Sequence, residues 1–229
     1  MPSPGSRMIQ HLRRKTATTP RKERTIMFPD LDSTLQAIFR WFHVIAGITW
    51  IGHLYFFNFV NTPFQGGLDK ELKPKVNPPL VLRALYFFRW GAMWTFLFGL
   101  ALFYLIYIRG GEILDADRHM SQRGMWILLG GLLGTIMWFN VWFVIWPRQK
   151  KILGAMLGGP PAPPTAAPQA ALASKINTYL SGPMLWGMIA GSHVNIWPMT
   201  WATFLVAMVL ALGLIHGLYA SSRKVKLTV

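Results

Sequence analysis

The chain has no cysteine among its 229 residues. Disulfides, thiolate metal sites, iron–sulfur clusters and the CxxCH attachment of a c-type haem are therefore excluded. Acids are scarce as well, with eight (Glu23, Asp30, Asp32, Asp69, Glu71, Glu112, Asp115, Asp117) against 23 Lys and Arg. All eight fall outside the long apolar runs, so no membrane-embedded carboxylate is at hand for acid–base work or a proton relay. Phosphate-loop, zincin and nucleophile-elbow motifs are missing too, which removes the commonest hydrolase and nucleotide chemistries.

What fills the chain instead is apolar: 52% of residues are hydrophobic and 14% aromatic. Five runs, near 36–60, 85–108, 125–146, 177–196 and 198–220, each approach the roughly 20 residues that cross a hydrocarbon core of about 30 Å. The expectation is an all-α polytopic membrane helix bundle of about five transmembrane helices. A formal charge of +15 would suggest nucleic acid in a soluble protein. Here the basic residues cluster in loops and tails beside apolar helices, so the partner is the anionic lipid bilayer and not nucleic acid. Residues 1–26 carry seven Lys or Arg and one Glu without an apolar run. They read as a basic disordered tail, not a secretory signal, with Met27 a candidate start of the membrane domain 27–229. Within that domain, 158–168 (GGPPAPPTAAP) reads as a flexible Pro/Ala linker.

The short loops give an orientation. With the N-terminus outside, eleven Lys and Arg (Lys70, Lys73, Lys75, Arg83, Arg148, Lys150, Lys151, Lys175, Arg223, Lys224, Lys226) face inward against three outward (Arg109, Arg118, Arg123). The positive-inside rule then favours N-out and C-in, with only the tail before Met27 arguing otherwise.

Chemistry centres on RWFHVIAGITWIGHLYFFNFVN at 40–61, which carries His43 and His53. An intramembrane histidine is a functional-site hypothesis by default. Counting 1.5 Å per residue, His43 and His193 share the outer leaflet, while His53 and His216 share the inner one. The two layers stand roughly 15 Å apart, and each draws its pair from different helices. Paired imidazoles on facing helices are what a six-coordinate b-type haem needs, so the expectation is one or two haem b groups on His43, His53, His193 and His216. The bland alternative is a histidine that simply bonds across a helix interface. His11 and His119 read as solvated, and Asn58, Asn61 and Asn140 as interhelical hydrogen-bonders. GGLLG at 130–134 reads as a close helix contact.

Four segments carry a resemblance: WFHVIAGITWIG at 41–52, WGAMWTFLFGLAL at 90–102, LGTIMWFNVWFVIWPRQKK at 133–151 and NTYLSGPMLWGMIAGSH at 177–193. Together they resemble the membrane-integral urate oxidases, the PuuD or urate hydroxylase family, over most of 40–220. The pattern of the first segment is also similar to that of the HemJ-like protoporphyrinogen oxidases, held to bind haem b. The resemblance implies a redox protein of a bacterial inner membrane. It would use His43, His193 and His216 as haem-iron ligands and pass electrons to cytochrome c, which is fused to the longer relatives. Departures are evident. About five helices stand here against about eight, His53 is outside the pattern, and Gly91, Leu128 and Ile176 replace a Glu and two His of the family. The catalytic residues stay unassigned. The mechanism expected is electron transfer from a reduced substrate or quinol, through haem, to an external acceptor. The rival expectation is a cofactor-free accessory subunit that contacts other membrane subunits; a transporter is weaker, with five helices and no obvious repeat or embedded charge.

Overall fold

A computed structural model describes residues 30–225. The tail expected over 1–26 and the candidate start at Met27 lie outside the described residues. Among the described residues seven α-helices follow one another: α1 Leu31–Tyr55, α2 Thr62–Gly67, α3 Lys73–Phe103, α4 Gln122–Phe139, α5 Trp146–Met156, α6 Ala166–Ala190 and α7 Trp201–Ser222. Among the described residues the only β pairing is a bridge between Leu114 and Met120. The expectation of an all-α membrane bundle holds. Four helical stretches among the described residues are long and apolar enough to cross a membrane: Leu31–Gly67, Lys73–Arg109, Gln122–Met156 and Trp201–Ser222.

Three of these stretches contain wide π-helical turns, at Phe56–Asn61, Tyr104–Arg109 and Asn140–Ile145. Two of them stand just before Pro63 and Pro147. A proline ring collides with the carbonyl four residues back and offers no amide, so an ordinary α-turn cannot continue through it. A wider turn lets the helix go on. This is why the ends expected near 60 and 146 are not ends, and why the chain runs helically to Gly67 and Met156.

Two other boundaries differ from expectation. The Pro-rich stretch 73–84 is helical from Lys73, with Pro74 in the first turn, where an amide would have no intrahelical partner, and Pro78 and Pro79 inside the helix. The fourth helix covers Ala166–Ala190 in place of 177–196. Its alanine-rich start favours helix and takes Pro168 in the first turn, so only the earlier part of the 158–168 linker is non-helical.

Side chains close the exposed helix starts. Asp30 accepts from the Ser33 amide and hydroxyl, both at 2.8 Å, and these bonds hold its carboxyl below the usual range. Ser121 caps α4 through the Gly124 amide at 2.8 Å. Thr200 and Thr203 form a reciprocal capping box at α7.

Helix α6 is the hub. It packs against α4, α5, α7 and the first and third π turns, and ten of its 25 residues are buried. One core joins Trp50, Leu54, Phe88, Met137, Val141 and Met184; a second joins Trp126, Ala190 and Ala207. The outward faces carry Leu205, Val209, Leu210 and Leu214 of α7 and many similar side chains, as lipid-facing surfaces should. The GGLLG contact is met: a Cβ on Gly187 of α6 would stand 2.7 Å from the Gly130 amide nitrogen of α4. The backbones touch there. Gly187→Leu is therefore expected to lower stability by about 1–3 kcal/mol. Gly131→Leu, where a Cβ meets nothing within 4 Å, should stay within about 0.5 kcal/mol of wild type. Unfolding of both variants in detergent checks the contrast; equal stability would contradict it.

Candidate functional site

His43 lies between α1 and α3, with Nδ1 2.8 Å from the Thr95 carbonyl oxygen. A carbonyl only accepts, so Nδ1 carries the hydrogen and Nε2 keeps its lone pair. Gly99, one turn further along α3, makes room for the ring: a Cβ there would stand 3.0 Å from His43 Cε1. His53 donates Nδ1–H to the Thr49 carbonyl of its own helix at 2.7 Å. Its ring stacks on Phe87 with centroids 6.0 Å apart. His193 lies in the turn after α6, exposed, with Nδ1 3.1 Å from the Ile189 carbonyl oxygen. His216 on α7 meets the Tyr179 hydroxyl of α6 through Nδ1 at 3.1 Å. His119 is exposed in the 110–121 loop, and His11 lies outside the described residues.

All four candidates thus engage Nδ1, and among the described residues no hydrogen bond reaches Nε2. That is the arrangement of metal-ligating histidines, whose other ring nitrogen is usually held by a carbonyl, carboxylate or water. Each ring so held could serve as a single axial ligand through Nε2. Among the described residues, however, no hydrogen bond or ring contact joins any two of the four. His43 and His53 face α3, His216 faces α6, and His193 bonds back to its own helix end.

A groove of about 710 Å³ opens between α1 and α3, lined by Gly52, His53 and Phe56 on one side and by Arg83, Ala84 and Phe87 on the other, with aliphatic side chains between. Arg83 was expected in a loop; the early start of α3 places it on the helix. Gly91 lies deeper in the same interface, where a Cβ would stand 3.0 Å from the Trp50 amide nitrogen. The close approach of α1 leaves no room for a carboxylate side chain at that position. Leu128 and Ile176, the other two departures from the family pattern, are exposed.

Sequence reasoning missed a polar seam along α6. Asn177, fully buried, donates to the Met137 carbonyl at 2.9 Å and accepts from Asn140 at 2.8 Å. Asn58 donates to Ser174 at 2.8 Å and accepts from the Tyr219 hydroxyl at 2.8 Å. The Tyr55 and Ser181 hydroxyls lie 2.9 Å apart. Asn58 and Asn140 therefore do bond between helices, and both sit on π turns; Asn61 accepts from Gln65 at 3.4 Å. Also missed was Arg89, whose guanidinium lies 4.0 Å from the Trp146 ring centroid and 5.2 Å from that of Trp142. Its only sequence signal is a lone cation inside an apolar run.

A double-mutant cycle of Tyr219→Phe and Asn58→Ala, read by unfolding in lipid, is expected to give a coupling of about 0.5–1.5 kcal/mol. Strict additivity would show that the bond between them contributes nothing.

No curated protein and no solved structure matches this chain. Residues 113–227, spanning α4 to α7 with His193 and His216, match the family described as urate oxidase N-terminal, and the chain belongs to that family.

Proposed function

We propose that this chain is a membrane redox protein that holds haem b on histidine and passes electrons from a reduced substrate or quinol to an external acceptor such as cytochrome c. The observation that carries the reading is the seat of His43. Thr95 fixes its tautomer, Gly99 clears space for its ring, and Nε2 is left available as an axial ligand. Haem would supply one-electron transfer; the chain supplies ligation, orientation and an apolar setting for the group. Urate is the substrate that the family name suggests. Oxidation with proton release needs a positioned base, and the apolar runs contain no carboxylate. Electron transfer is therefore favoured over substrate oxidation by this chain alone. The membrane is a bacterial inner membrane, and the N-out, C-in orientation from the loop charges belongs to the same proposal.

Dithionite-reduced minus oxidised spectra with pyridine haemochrome quantification test the cofactor. Protein from haem-replete cells should show a b-type spectrum that His43→Ala diminishes, with Gly99→Leu also lowering haem content by displacing the ring. A colourless protein would contradict the reading and favour an accessory subunit. Urate-dependent reduction of the bound haem would show substrate oxidation by the chain itself. The absence of cysteine makes the orientation equally testable. Asp117→Cys should react with a membrane-impermeant maleimide in intact cells or spheroplasts, and Pro161→Cys only after permeabilisation; the reverse pattern would invert the topology.

A further inference from the structure

The groove between α1 and α3 presents two polar groups that no partner among the described residues satisfies. His53 spends Nδ1–H on the Thr49 carbonyl, which leaves Nε2 as a bare acceptor. Arg83 is exposed and makes no hydrogen bond or ion pair among the described residues. In hydrocarbon or at its edge, an unmet acceptor and an unmet donor are both costly. The lining around them is otherwise apolar, with the rings of Phe56 and Phe87 and the small residues Gly52 and Ala84. A pocket of this make selects a largely apolar ligand with a few placed polar groups.

The donor and acceptor pattern narrows the ligand class. The occupant must donate to His53, accept from Arg83, and lie flat against aromatic faces. A phospholipid headgroup accepts from Arg83 through its phosphate, and an ethanolamine or glycerol head can donate to His53, but it has no planar ring to lie against Phe56 and Phe87. A hydroquinone head has hydroxyl donors and acceptors on opposite sides of a planar ring, and its alkyl tail remains in lipid. We propose that the His53–Arg83 groove binds a membrane hydroquinone, with one hydroxyl donating to His53 Nε2 and the opposite oxygen accepting from Arg83. This gives the quinol of the redox reading a place in the fold and rests on that reading for its purpose. The docking itself needs no haem and no electron transfer.

The test uses the full chain in haem-free form, in detergent, with an alkyl-hydroxyquinoline N-oxide as a redox-inert fluorescent hydroquinone analogue. Saturable quenching of the probe is expected for wild type. Arg83→Met and His53→Leu should each weaken binding by about tenfold, the size of one lost hydrogen bond. Gly52→Phe should abolish it by filling the groove. A Cβ at Gly52 meets nothing within 4 Å, so this variant keeps the fold, which matching circular dichroism and elution verify. Leu210→Phe on the outward face of α7 should bind as wild type does. The proposal is overturned if wild type fails to bind, if Gly52→Phe binds equally well, or if co-purified anionic phospholipid occupies the groove and excludes the analogue. None of these results bears on haem content, so the groove and the haem reading fail separately.

Discussion

Within a hydrocarbon core no solvent meets a polar group, so one left without a partner in the chain is costly. The α6 seam shows what that cost does here. Asn177 reaches a backbone carbonyl and a second asparagine, and Asn58 links Ser174 to Tyr219. Interhelical bonds of this kind average only about 0.6 kcal/mol each, because the unfolded chain in a membrane also finds partners. A handful of them cannot outweigh the packing of two aromatic and aliphatic cores. Their contribution is register: α6 can rotate or slide only by leaving buried donors unmet. The Gly130–Gly187 contact fixes the same helix by shape.

The same constraint reaches the histidines. Each ring pairs Nδ1 with an oxygen, and for His43, His53 and His193 that oxygen is a carbonyl, which determines the tautomer. Structural economy and ligand geometry thus coincide. The bond that makes an imidazole tolerable in the bundle is also the one that turns Nε2 into a potential ligand or proton acceptor. Where the ring is further seated, as His43 is by Gly99, or opens on a groove, as His53 does, the free nitrogen acquires a use.

Most spans were legible in the sequence because α1, α3, α4 and α7 are continuous apolar runs. The ends were not. Pro63 and Pro147 look like stops, and only the geometry of the π turns shows the helices passing through them. The start of α6 was hidden because Ala166–Ala173 is only mildly apolar and adjoins a proline run. The histidines were legible singly, and depth along each helix suggested pairs. Depth says nothing about azimuth, though, and packing turned the rings toward different neighbours. The Ser and Tyr members of the seam were invisible because they alternate with apolar residues and carry no motif. Arg83 read as a loop charge until the early start of α3 put it on a helix beside His53.

The central claim is that His43 and His53 each hold Nδ1–H on a backbone carbonyl and turn Nε2 away as the ring nitrogen left to accept. Side-chain ¹⁵N spectra of haem-free protein labelled at histidine, in lipid at neutral pH, measure this directly, with His43→Ala and His53→Ala supplying the assignments. The account predicts for both residues one protonated nitrogen coupled to the Nδ1 position and one pyridine-like Nε2. Signals of an imidazolium, or of the tautomer protonated at Nε2, would contradict it and remove the basis for ligation at His43 and for docking at His53.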